Sequence, residues 1–113
     1  MPVRELDVRE VTEAVKAMCI TANYDLPEDV YDALVKAREA EESPVGREVL
    51  GQLVENADIA AADRVPICQD TGFAVIFAEV GQDVHLVGGS FDDAVNEGVR
   101  QGYDYGYLRK SVA

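Results

Sequence analysis

Val65-Pro66-Ile67-Cys68-Gln69-Asp70-Thr71-Gly72 divides this chain into two kinds of sequence. The residues before it read as helix. The octet after it, Phe73-Ala74-Val75-Ile76-Phe77-Ala78-Glu79-Val80, reads as strand. Pro66 biases the residue before it toward extended backbone, which ends a helix. The octet is apolar almost throughout, the pattern of a strand covered on both faces. Gly81-Gln82-Asp83 then reads as a hairpin turn, with Val84 to Val87 as the returning strand. The expected fold is therefore α+β: three N-terminal helices, a short antiparallel β-hairpin after the junction, then a fourth helix. At the junction a thiol, an amide, a carboxylate and a hydroxyl stand side by side and close on a glycine. A loop held between two packed elements offers such side chains to a ligand. Asp-Thr-Gly is also good turn chemistry in its own right.

Moving outward, the helices announce themselves by their caps. Ser43-Pro44 places a capping hydroxyl and a first-turn proline at the start of the third helix. Val45, Val49, Leu50, Leu53, Ala57 and Ala60 are its expected inner face. Pro27 with Glu28 and Asp29 suits the first turn of the second helix, whose stripe is Val30, Ala33, Leu34 and Ala37. The first helix spans residues 7 to about 22, with Asp7 and Glu10 as a variant capping box. Its stripe is Val8, Val11, Val15, Met18, Cys19 and Ala22, which puts Cys19 on the buried side. Beyond the hairpin, Ser90 and Asp93 open the fourth helix, with Phe91, Val95, Val99 and Gly102 along one side. Tyr103, Tyr105 and Tyr107 read as core or interface anchors. His85 alternates with Val84 and Leu86, which puts it on the polar side of its strand and outside the site.

The 113 residues suffice for a single domain, 1–113, with one modest core. The 22 acidic and 10 basic residues leave a net charge of -12. That field disfavours nucleic acid and anionic membrane surfaces. It would also repel a dicarboxylate, so such a substrate needs a local basic pocket. Two cysteines make no disulfide framework. No basic-then-apolar leader is visible, and no apolar run reaches the roughly 20 residues that span a bilayer. These features fit a reducing cytoplasm. Gly88-Gly89 is neither a P-loop nor a dinucleotide fingerprint.

Cys68 is a poor protease-type nucleophile, because its charged neighbour Asp70 is an anion and disfavours thiolate. A metal reverses that logic, since a coordinating cation deprotonates the thiol. Soft thiolates suit iron–sulfur clusters. One cysteine cannot hold a cluster, and Cys19 belongs to the first helix.

Ile67-Cys68-Gln69-Asp70-Thr71-Gly72, the apolar strand, Leu86-Val87-Gly88-Gly89 and Tyr107-Leu108-Arg109 resemble the N-terminal part of class I fumarate hydratases and of the related tartrate dehydratase α subunits. The resemblance is sharpest from residue 65 to residue 111. It implies an iron–sulfur hydro-lyase whose [4Fe-4S] cluster is held by three cysteines and leaves one iron open to substrate. Cys68 then matches the first cluster ligand. Gln69 and Asp70 match substrate-side residues, with Asp70 the proton carrier, and Arg109 matches an arginine that grips a substrate carboxylate. A guanidinium fork meets a carboxylate in two contacts, which Lys does not reproduce. The implied reaction is fumarate to malate, a step of the tricarboxylic acid cycle, or else tartrate to oxaloacetate. The family's α region is more than twice this long, so the chain reads as an N-terminal fragment, inactive and cluster-free by itself. Its expected partners are the remainder of the α region and a β subunit or C-terminal domain, in a homo-oligomer. Two other readings stay open: a cluster-free interaction or assembly module derived from the family, and a small thiol- or metal-responsive protein built on Cys68.

Overall fold

The structure is a computed structural model that describes residues 2–68 and 73–109. In chain order it contains β1 (Arg4–Asp7), α1 (Val8–Tyr24), α2 (Glu28–Ala40), α3 (Pro44–Asp63), β2 (Val84–Val87) and α4 (Phe91–Tyr105). β1 and β2 pair in parallel, in register from Arg4 with Val84 to Asp7 with Val87.

This pairing overturns the antiparallel hairpin. Residues 73–80 carry no strand, and the partner of β2 is a tetrad that precedes all the helices. Parallel neighbours need a long crossover, here the run from α1 through α3, so no turn signal marks the pair. Arg4-Glu5-Leu6-Asp7 also holds one apolar residue in four, too few for an alternation to stand out. The octet fails as a strand for the opposite reason. A strand apolar on both faces needs covers on both, and every residue of 73–80 is exposed.

The chain forms two compact units, one of residues 1–20 with 70–113, the other of residues 21–69. In the first, Asp7 caps α1 by accepting the Arg9 amide at 2.9 Å, and its carboxylate also takes the Arg9 guanidinium at 2.8 Å. Those side-chain and backbone hydrogen bonds hold the Asp7 carboxyl below its usual range. Ser90 Oγ caps α4 by accepting from the Asp93 amide at 3.0 Å. α4 then meets α1 through small residues. A Cβ added at Gly98 would lie 2.7 Å from both the Thr12 carbonyl oxygen and Val15 Cβ, and one at Gly102 would lie 2.9 Å from Cys19 Cβ. Thr12 Oγ1 donates to the Ala94 carbonyl at 2.9 Å across the same crossing. The buried face of α4 is therefore Ala94, Gly98, Gly102 and Tyr103. The expected Phe91, Val95 and Val99 are only half-buried, because closest approach is set by what lacks a side chain. Val8, Val15 and Leu108 complete this core.

In the second unit α3 begins as its cap residues predict, with Ser43 accepting from the Gly46 amide and Pro44 in the first turn. Its core side is Val54, Ala57 and Ala60, joined by Tyr24, while Val45, Val49 and Leu53 are exposed. α3 is thus turned onto its alanines, away from half of the expected stripe. α2 packs on α3 without a single buried residue. Tyr31 Oη donates to Asp58 Oδ1 at 2.8 Å across that pair. Among the described residues, no helix is long and apolar enough to cross a membrane.

Candidate functional site

Four residues carry the expected chemistry: Cys68, Gln69, Asp70 and Arg109. Gln69 and Asp70 lie outside the described residues. Cys68 and Arg109 are described, and they belong to different units.

The approach to Cys68 is built step by step from the end of α3. Arg64 ends that helix in the left-handed region, φ 53° and ψ 55°, and its amide and that of Val65 both donate to the Ala60 carbonyl. The Arg64 guanidinium reaches Asp25 Oδ1 at 2.7 Å and lies 5.1 Å above the Tyr24 ring. These contacts hold a bulky residue in a backbone conformation that ordinarily favours glycine. Pro66 comes next. The Ile67 amide then donates to the Asn23 carbonyl at 2.8 Å, and the Cys68 amide donates to Asn56 Oδ1 at 2.9 Å. Two consecutive backbone amides are thereby tied down, while the Cys68 residue itself is exposed.

The approach to Arg109 has the same plan. α4 ends with Tyr107 in the left-handed region at φ 56°. The Leu108 amide donates back to the Tyr103 carbonyl at 3.0 Å, and that of Tyr107 to the Asp104 carbonyl at 3.4 Å. This is a Schellman-type helix end with tyrosine where glycine is usual. It buries Leu108, which is only 6% exposed, and leaves Arg109 exposed. Arg64 and Tyr107 are the only non-glycine residues with positive φ among the described residues. Each stands just ahead of a candidate site residue, where stored strain is most often found.

Asn56, Asn23 and the Arg64–Asp25 pair have no part in the reading from sequence. Asn56 left a trace there, since asparagine is a poor resident of helix interiors. Asn23 acts through its backbone and leaves none. An open cleft of ≈ 630 Å³ is lined by Lys16, Arg100, Gln101, Asp104, Tyr105 and Tyr107. Neither Cys68 nor Arg109 is among these lining residues, and Arg100 is already engaged by Glu97 at 2.6 Å and Asp104 at 3.4 Å.

An exposed thiol on a fixed backbone suits one ligand of an iron–sulfur cluster. It does not make a complete site. Among the described residues no group of three His, Cys, Asp or Glu side chains is placed to hold a metal ion. Cys19 is half-buried at the α1–α4 crossing, and that burial raises its thiol pKa, which disfavours a thiolate.

Residues 12–113 match the family described as fumarate hydratase (Fumerase). The chain is 31% identical over 104 residues to the "Putative L(+)-tartrate dehydratase subunit alpha" of Methanocaldococcus jannaschii, covering 91% of this chain and 36% of that protein. It is 32% identical over 81 residues to the L(+)-tartrate dehydratase subunit alpha of Escherichia coli K12, covering 72% of this chain and 27% of the relative. The chain therefore belongs to the fumarate hydratase (Fumerase) family of hydro-lyases. It spans about a third of the length of the curated relatives it matches.

Proposed function

We propose that this chain is the N-terminal part of an iron–sulfur hydro-lyase acting on a small dicarboxylate. The observation that carries the reading is the exposed Cys68 on its tethered backbone, at the head of Cys-Gln-Asp-Thr-Gly, in a member of this family. Cys68 would hold one iron of a [4Fe-4S] cluster, and the other two thiolates would come from polypeptide beyond this chain. When bound, the cluster supplies a Lewis acid for the departing or arriving hydroxyl. Asp70 would move the proton. Arg109 would grip one substrate carboxylate, giving the local positive charge that a net charge of -12 otherwise denies a dianion. Fumarate and malate are the first substrate pair. The tartrate dehydratase names of the relatives favour tartrate as the second.

The test is a chimaera in which this chain replaces the matched first third of the M. jannaschii subunit. It is produced with a β subunit, reconstituted anaerobically with iron and sulfide, and assayed on fumarate and on L(+)-tartrate. One of the two should turn over. Asp70→Asn should lower kcat by about 10²–10⁴-fold with the visible absorption of the cluster intact, and Arg109→Lys should raise KM. Cys68→Ala should lose absorption and activity together, and an active Cys68→Ala chimaera would overturn the proposal. The 113-residue chain alone should be inactive, and a stoichiometric cluster on it would contradict the assignment of its ligands.

A further inference from the structure

Residues 73–80 present one apolar face that no described part of the chain covers. Phe73 is 71% exposed, Val75 62% and Phe77 93%. They stand at alternate positions, which share one face of an extended chain. The opposite face is different. Ile76 is 37% exposed, and with Ala78 it borders a hollow of ≈ 290 Å³ whose other walls are Phe91, Asp92, Val95 and Asn96 of α4. Ile76 and Ala78 therefore lie toward a helix of the same unit, while Phe73, Val75 and Phe77 lie toward solvent. Two aromatic rings and a valine at alternate positions form the kind of apolar surface that proteins keep covered.

We infer that the face of Phe73, Val75 and Phe77 docks the polypeptide that comes after the matched region in α subunits of this family. This rests on the hydro-lyase reading and names the surface through which the two parts would join. Length argues for that occupant, because the matched region makes up only 36% of one relative and 27% of another. Charge argues against a second copy of this chain, since two bodies of net charge -12 repel on close approach. The local sheet offers a place to join. It has two strands among the described residues, so each has one edge unpaired, and residues 73–80 lead into β2 through a three-residue connection. The partner segment is therefore apolar and extended, contributing a neighbouring strand and side chains to cover the two rings.

Amide exchange read by mass spectrometry tests this on the 113-residue chain and on the chimaera described above. In the chain alone, amides 74–80 should exchange freely and the protein should be a monomer. In the chimaera the same amides should slow by roughly 100-fold. Equal exchange in both proteins, with α1 and α4 protected in both, would overturn the inference. If the chimaera does not fold, the isolated chain still decides. A stable dimer with protected 74–80, made monomeric by Phe77→Asp, would assign the face to a second copy and overturn the inference. A monomer whose binding of a hydrophobic dye is abolished by Phe77→Asp supports it. A protected but inactive chimaera would sink the hydro-lyase reading alone, and an active one with 73–80 still exposed would sink the docking surface alone.

Discussion

α3 and α4 flank the junction and solve opposite problems. α3 is loosely embedded, with Val45, Val49 and Leu53 exposed, yet it fixes the backbone after it through Arg64, the Ala60 carbonyl and the Asn56 side chain. α4 is locked in place by the absence of side chains at Gly98 and Gly102, and it leaves residues 73–80 largely uncovered. Each part thus draws its order from a different source. The Cys68 loop is held by polar tethers that need no large core. The crossing of α1 and α4 is held by steric fit, which tolerates almost no change.

The largest break should come at α4. Gly98→Ala should destabilise the chain by on the order of 1–3 kcal/mol, even though alanine gains about 1 kcal/mol in helix propensity. The new methyl would press on the backbone oxygen of Thr12 and on Val15 Cβ, neither of which swings aside. Denaturant unfolding checks this, and an unchanged midpoint would mean that the crossing is less tight than described.

A smaller, local effect should come at α3. Asn56→Ala removes one exposed hydrogen bond of about 0.5–1.5 kcal/mol and gains helix propensity that offsets much of it. Global stability should stay nearly constant while exchange of the Cys68 amide quickens by roughly 5-fold or more. A large global loss with no local change would reverse the contrast between the two helices.

The smallest effect concerns charge on α4. The Arg100 guanidinium, with help from Gln101, draws the Glu97 carboxyl from 4.5 down to about 2. Ionised Glu97 therefore favours the fold above pH 4.5, and that contribution fades as pH falls from 4.5 toward about 2. The pair is exposed, so the gain is slight. A carboxyl NMR titration should find the low midpoint and should find it moved upward in Arg100→Gln. An ordinary midpoint in the unaltered chain would mean that the pair contributes nothing to the fold.

Much of this fold was legible because caps are local. Ser43-Pro44, Pro27 and Ser90 mark the helix starts in the sequence, and α3, α2 and α4 begin beside them. The sheet was not legible. Its strands lie at opposite ends of the helical run, and β1 is mostly charged, so neither a turn nor an alternation betrayed the pair. The buried faces were only partly legible, because a broad apolar stripe does not say which edge a glycine or alanine row will draw inward. At the candidate site, the sequence offers candidates for chemistry but not the contacts that hold the backbone beside Cys68 and Arg109. Asn23, Arg64 and Tyr107 act through backbone geometry, which residue type records weakly, and Asn56 acts through a side-chain oxygen that no spacing in the sequence ties to Cys68.

This chain builds the loop presenting Cys68 by itself, while the segment just after the junction awaits a partner. Residue-resolved amide exchange by NMR on the 113-residue chain separates the two. Clear protection is expected at Ile67 and Cys68, whose amides donate to Asn23 and Asn56, with near-unprotected rates across residues 74–80. Equal, unprotected exchange on both sides of the junction would contradict it.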